Sequence, residues 1–129
     1  MAQSANLKPS ITRPFGIPWR VGDVVAGELM VEDKSRSTLD PASNNSSVEA
    51  TAYKLSAGSW DSSAPDVTVS TTGTDGILDF AFEPEEDATY RLVFTLTGDY
   101  KAKTEVTVRV HDPVDRKSAG GDTTWDDPV

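Results

Sequence analysis

The strand that begins at Tyr90 restricts the fold of this chain more than any other feature of its sequence. From this residue onward, large apolar side chains occupy every second position, with threonine, arginine and valine between them. An alternation of period two puts the large apolar side chains on one face, which is typical of a half-buried β-strand. We therefore expect Tyr90, Leu92 and Phe94 in the core, with Leu96 on the same face of the strand.

The residues just before this strand match a known structural motif, the tyrosine corner. Glu86 stands four residues before Tyr90 and Ala88 two before, as in the tyrosine corner of immunoglobulin domains, where the phenol hydroxyl bonds to upstream backbone. Further alternating segments lie at 22–33, 47–55, 67–71, 77–82 and 101–111. They add Leu78, Phe80, Val106 and Val108 to the expected core. The fold class predicted is all-β: an immunoglobulin-like antiparallel β-sandwich with an extended N-terminal arm and a C-terminal tail.

The chain length of 129 residues suits one such sandwich with a single core. We place an extended N-terminal arm at 1–18, the sandwich at 19–111 and an acidic C-terminal tail at 112–129. Pro9, Pro14 and Pro18 favour extended backbone in the arm, because a proline disfavours the helical conformation of the residue before it. The segment 56–66, which contains Trp60, is expected to be a loop.

Both terminal segments contain large apolar side chains without a core of their own. Phe15, Ile17 and Trp19 must bury either against the sandwich or against a neighbouring subunit, and Arg13 adds a positive charge beside them. Trp125 lies in the acidic tail and is either incidental or an anchor for docking. The partner-binding residues predicted are therefore Arg13, Phe15, Ile17, Trp19 and Trp125.

Charge is distributed unevenly over a net value of −9. Residues 1–22 carry three bases and no acid, residues 23–111 carry sixteen acids and seven bases, and residues 112–129 carry five acids and two bases. An acidic body disfavours nucleic acid as a partner, since phosphate binding depends on clustered Lys and Arg. No apolar run has the length of a membrane span, no secretory signal is visible, and there is no cysteine for a disulfide.

No residue pattern indicates catalysis, a cofactor or a metal site. His111 beside Asp112 lacks a second histidine, and the acidic run 83–87 matches no calcium loop, so both are expected to be ordinary surface features. Trp60 with Tyr53 or Tyr100 could form an aromatic platform for carbohydrate. We expect instead that Trp60 covers the open end of the core, where a large ring can replace the missing disulfide.

Two segments resemble the small immunoglobulin-like structural proteins of tailed bacteriophages. Residues 20–29 look like the opening strand of those domains, and residues 88–99 look like their tyrosine strand and the turn after it. Leu92 stands where an antibody-type domain has its second cysteine, so the resemblance is not to antibodies.

This resemblance implies a non-enzymatic virion protein made in the cytoplasm of a bacterial host. Its expected role is capsid decoration or cementing, by binding the major capsid protein or other virion subunits and forming a homo-oligomer within the assembly, without nucleic acid or membrane. One alternative is a neck or tail connector component of the virion. Another is a non-viral adhesion or carbohydrate-binding module.

Overall fold

Ten strands and one short 3-10 helix form the described part of the computed structural model, which is residues 3–11 and 18–112. The strands are β1 (Gln3–Ser4), β2 (Asn6–Ile11), β3 (Trp19–Arg20), β4 (Val25–Glu32), β5 (Ser46–Ser56), β6 (Ser59–Asp61), β7 (Val67–Thr71), β8 (Ile77–Phe82), β9 (Ala88–Gly98) and β10 (Tyr100–His111), and the 3-10 helix is Ala42–Asn44.

The strands form two sheets that pack as a sandwich. The smaller sheet has the order β2-β4-β8-β7 and is antiparallel throughout. The larger sheet has the order β1-β10-β9-β5-β6, and β3 also pairs with β10. Its long strands are antiparallel, whereas β1 and β3 run parallel to β10. Two largely antiparallel sheets that pack face to face around one core are the arrangement of immunoglobulin-like domains, so the predicted fold class is confirmed.

The core lies between the sheets and is centred on β9. Tyr90, Leu92, Phe94 and Leu96 are all buried, as the alternation predicts. Phe94 packs on Phe80 of the smaller sheet, with ring centroids 4.9 Å apart. The chain has no cysteine, so the two sheets are held together by packing, to which such ring contacts contribute. Val106, which we expected in the core, is only partly buried at its edge.

The tyrosine corner is present. The hydroxyl of Tyr90 accepts a hydrogen bond from the backbone N–H of Glu86 at 3.2 Å and donates one to the carbonyl of the same residue at 3.3 Å. Burial is the main cause that raises the pKa of this hydroxyl above its ordinary value of 10.0. The corner therefore ties the turn before β9 to the core strand.

The N-terminal segment departs from the predicted arm. Residues 6–11 are extended, as expected, but they form β2, an edge strand of the smaller sheet that pairs with β4. Leu7 lies opposite Val31 and is buried, and Lys8 lies 3.0 Å from the carboxylate of Glu32. This stretch thus belongs to the sandwich and not to a separate arm. The cause is that a strand at a sheet edge can contain a proline, here Pro9, which we had taken as a sign of an arm.

Candidate binding surface

A tight hairpin between β5 and β6 places Trp60 on the outer face of the larger sheet. Ala57 and Gly58 form the two-residue turn and have φ of 52° and 82°. Two consecutive positive φ values are typical of the type I′ turn, whose twist matches that of the flanking strands. The hairpin pairs Trp60 directly with Leu55. The segment expected to be a loop therefore contains a strand.

Next to this pair, Tyr53 of β5 lies opposite Arg91 of β9. Both point away from the core, since the neighbouring positions in β9 are buried. The guanidinium carbon of Arg91 lies 5.5 Å from the centroid of the Tyr53 ring and 4.6 Å from that of the Trp60 ring. A cation at these distances from a ring is attracted by its electron-rich face. We call Tyr53, Leu55, Trp60 and Arg91 the Trp60 surface.

The Trp60 surface leaves apolar area open to solvent. Leu55 is 40% exposed and Trp60 is 37% exposed. Within the described residues the only other large hydrophobic side chain so exposed is Val24. Single exposed apolar residues are common, but two of them in direct cross-strand contact, beside a stacked arginine, form a patch that needs an explanation.

The polar contacts of Arg91 are incomplete. Its Nη1 lies 3.9 Å from Oε2 of Glu105, which is close enough for charge attraction but too long for a hydrogen bond. Its Nε is buried and has no hydrogen-bond partner within the described residues. The two rings therefore do more to fix this guanidinium than any acceptor does, and its hydrogen-bonding capacity is not used up.

The expectation for Trp60 was wrong. We expected its ring to cover the open end of the core, whereas it lies on the solvent side of the sheet. The reason is the two-residue turn, which sets the register of β6 so that Trp60 shares the outer face with Leu55 and Tyr53. Tyr100, the other aromatic residue considered, lies at the opposite end of the sheet beside Gln3. The sequence signal that could have found this hairpin is Gly58 in a short break between alternating residues.

Of the five predicted partner-binding residues, only Trp19 lies within the described part of the chain. Trp19 is in β3, pairs with Val110 of β10 and packs, partly buried, against the core of its own domain. That contact is one of the two alternatives left open for the apolar residues of the arm. Arg13, Phe15, Ile17 and Trp125 lie outside the described residues, and their roles remain predictions.

The outer face of the smaller sheet differs from the Trp60 surface. It has a shallow hollow lined by small side chains, among them Ala26, Thr68 and Ala81. Glu28 and Asp79 lie directly opposite each other on this face, and like charges in that relation destabilise a strand pair. Among the described residues, no exposed aromatic side chain lines the hollow. This face therefore offers positions, such as Thr68, for matched control substitutions.

The acidic run 83–87 is engaged in ion pairs. Glu86 lies 2.8 Å from Nζ of Lys54, and Asp87 lies 2.7 Å from Nη2 of Arg109. The first contact is the largest cause that raises the pKa of Lys54. In residues 3–11 and 18–112, no three His, Asp or Glu side chains are grouped so that they could hold a metal ion. No helix in that part of the chain has the length and apolar character needed to cross a bilayer.

Comparison with known proteins finds solved structures that match most of this chain at low sequence identity. No family model and no curated protein matches the chain. The filamin domain of Lin-41 matches 86% of this chain and 95% of its own, with 16% identity and a TM-score of 0.46. Domains 4 and 5 of the S-layer protein SbsC match 84% of this chain and 53% of theirs, with 15% identity and a TM-score of 0.41.

A third similar structure is Astrotactin-2, described as a vertebrate-specific, perforin-like membrane protein involved in neuronal development. It matches 86% of this chain and 22% of its own, with 16% identity and a TM-score of 0.48. At these identities and TM-scores the matches assign no function to this chain. The class defined by the fold is an immunoglobulin-like β-sandwich domain.

Proposed function

We propose that this chain is a non-enzymatic binding domain and that a protein partner docks on the Trp60 surface. The observation that carries the proposal is the cluster of exposed Trp60 and Leu55 around a stacked Arg91. Tryptophan, tyrosine and arginine are the residues that contribute most often to the binding energy of protein interfaces. Three of the four residues of the Trp60 surface are of these types.

The surface is also arranged before any partner arrives. Arg91 lies against two rings, and Trp60 is fixed by a two-residue hairpin. A side chain that is already ordered loses little further rotamer freedom on binding, so more of its contact energy contributes to affinity. A rigid β-sandwich supports this arrangement better than a loop would.

The partner we propose is another protein of a large assembly, namely the major capsid protein or another subunit of a tailed-phage virion. The support is the resemblance of residues 20–29 and 88–99 to phage structural domains. On this proposal the chain decorates or cements the capsid, or alternatively joins the neck or tail. A sandwich with one partly apolar outer face suits the capsid and the neck or tail alike, because structural proteins at both positions act by binding neighbouring subunits.

One observation favours a second candidate, a carbohydrate-binding or adhesion module. Two aromatic rings, Trp60 and Tyr53, share one outer face beside Arg91. Exposed rings can stack on the apolar face of a sugar while a charged neighbour binds its hydroxyls. The protein partner is preferred because Leu55, an aliphatic side chain, extends the patch beyond the rings.

The test compares Trp60→Ser with Thr68→Ala, which changes the outer face of the other sheet. Each variant is produced in place of the unchanged chain in the cells where the virions assemble. The number of copies of the variant per purified virion is then measured. Loss of an interface tryptophan typically removes about 2 kcal/mol or more, which is about thirtyfold in affinity. We expect fewer copies of Trp60→Ser per particle, and as many copies of Thr68→Ala as of the unchanged chain.

Thermal unfolding of both variants is the control for folding. Trp60 is more than one third exposed, so its replacement should move the melting temperature by only a few degrees. Equal particle occupancy of the two variants would overturn the proposed surface. Binding to a glycan array that depends on Trp60, in the absence of particle association, would establish the second candidate instead.

A further inference from the structure

The chain itself contains a segment whose chemistry matches the Trp60 surface. Residues 113–129 include Trp125 with Asp122 before it and Asp126 and Asp127 after it. A tryptophan offers the ring that an exposed aromatic and aliphatic patch can pack against. The aspartates next to it offer carboxylates to an arginine whose nearest acid, Glu105, is beyond hydrogen-bond distance.

The charge of the outer face favours an acidic segment, although the whole chain is acidic. The outward positions of β5, β9 and β10 carry four bases and two acids: Arg91, Lys101, Lys103 and Arg109 against Glu49 and Glu105. Asp87, at the rim, pairs with Arg109. The net charge of −9 comes from other parts of the molecule. An acidic segment is thus attracted to this face and repelled by the outer face that carries Glu28 and Asp79.

The distance is short enough for the same chain to make the contact. Three strand spacings separate β10 from β6, which is about 14 Å. The pairing register puts Trp60 near the level of Arg109, and Asp112 lies three residues further, about 10 Å along the strand. The twelve residues 113–124 can span up to about 40 Å, whatever path they take.

We propose that Trp125, with Asp126 and Asp127, docks on the Trp60 surface of its own chain. Contact within one chain is favoured over contact between two chains, because a short tether gives an effective concentration on the order of millimolar. Trp125, predicted to anchor the tail, then binds the Trp60 surface of the sandwich. A second copy of the chain at micromolar concentration competes poorly with such a neighbour.

The contact would also regulate binding. A partner that uses the Trp60 surface must displace Trp125, so its apparent affinity is the intrinsic affinity multiplied by the fraction of molecules in which the surface is free. This regulatory consequence rests on the proposed function, whereas the docking itself does not. Replacement of Trp125 should therefore increase partner binding, in the opposite direction to replacement of Trp60.

The experiment is nitrogen-15 NMR of the full chain. The indole N–H of each tryptophan and the Nε–H of Arg91 give separate resonances, which are assigned by substitution. Trp125→Ser should shift the Trp60 indole and the Arg91 Nε resonances, and the double change Asp126→Asn with Asp127→Asn should shift them in the same direction. Asp115→Asn is the control, since it removes one negative charge from the same segment away from Trp125. It should leave both resonances in place.

Each result decides the proposal. If Trp125→Ser moves the two resonances no more than Asp115→Asn does, the docking does not occur. If the shifts appear only at high protein concentration and sedimentation shows a dimer, the occupant is a second copy and the contact within one chain is wrong. Neither result depends on a partner. The docking can thus fail while the particle experiment succeeds, and the reverse is equally possible.

Discussion

Asp87 holds the end of the last strand through two hydrogen bonds. Its carboxylate accepts one from the backbone N–H of Asp112 at 3.0 Å and one from Nη2 of Arg109 at 2.7 Å. The bond from Asp112 is the largest cause that lowers the pKa of Asp87 below its ordinary value of 3.8, and Arg109 is the next. A carboxyl group with a lowered pKa in the folded state stabilises it above the unfolded pKa and loses that contribution as the pH falls through the folded pKa.

We therefore expect Asp87→Asn to change the acid side of the stability profile. The unchanged protein should be more stable than the variant at neutral pH, and the difference should shrink below about pH 4. Thermal unfolding from neutral to strongly acidic pH measures it. The effect should be modest because the group is partly open to solvent.

Asp61→Asn is the matched control for this prediction. The pKa of Asp61 is also lowered, mainly by the backbone N–H of Ser63 two residues away. Such a bond lies within one loop and joins no strands, so the unfolded chain can keep part of it. An equal loss of pH dependence in both variants would show that Asp87 does not act by holding the end of β10.

Single residues differ in how far their sequence reveals their place. Tyr90 could be placed because the corner and the alternation lie in one continuous stretch of chain. Trp60 could not, because its place depends on the turn at 57–58 and on a cation two strands away. The stacking of Arg91 between rings from β5 and β6 joins three separate segments. Spacing along the sequence contains no record of such a contact.

At the level of elements, β2 is the strand whose role changes the expected response to truncation. A free arm could be removed without loss of stability, but Leu7 of β2 is 8% exposed and lies opposite Val31 in the core. Leu7→Ala should lower the free energy of unfolding by about 2 to 5 kcal/mol, as is usual for a buried leucine. Denaturant titration measures the change.

Ser10→Ala tests the outer side of the same strand. Ser10 is exposed and lies opposite Glu28, so its replacement should change the free energy of unfolding by less than about 0.5 kcal/mol. A similarly small effect of Leu7→Ala would mean that β2 is not part of the core. Removal of residues 1–11 should destabilise the domain in the same way as Leu7→Ala, and more strongly.

The elements that could be predicted from the sequence are the long ones. The alternation identifies β4, β5, β7, β8, β9 and β10 with small shifts at their ends. The strands β1 and β3 have two residues each and β6 has three, which is too short for any period to appear. β2 is long enough, but Pro9 interrupts its pattern. Edge pairing by β1, β2 and β3 depends on where β10 and β4 lie, which only the folded chain determines.

At the level of the whole molecule, the two sheets are joined by close packing and by aromatic rings. Phe80 meets Phe94 at 4.9 Å, and Phe82 meets Tyr90 at 5.0 Å, each pair with one ring from either sheet. Gly27 of β4 makes room for this contact. A Cβ there would lie 2.9 Å from the Phe80 ring and would clash with the backbone carbonyl oxygen of Ser10. The sheets can thus approach without a disulfide. Gly27 leaves room for the Phe80 ring, and the two ring pairs fill the space between the sheets.

The energy of such a contact can be measured across the sandwich with Phe80→Leu, Phe94→Leu and the double variant. Each single change keeps an apolar side chain but removes a ring, so the coupling between them reports the ring contact. Aromatic pairs contribute about 0.5 to 1.5 kcal/mol beyond the burial of their area. We expect a coupling energy in this range from denaturant unfolding, with a single transition for both sheets because they share one core.

A control pair separates ring contact from general loosening of the core. Phe94 and Val110 are both fully buried, but they lie far apart along the larger sheet. Distant sites usually add within about 0.3 to 0.5 kcal/mol, so Phe94→Leu with Val110→Ala should show little coupling. If the Phe80 and Phe94 pair couples no more strongly than this control, the sheets are held by apolar burial in general. The rings would then be replaceable by any side chains of equal volume, and the absence of cysteine would need no special compensation.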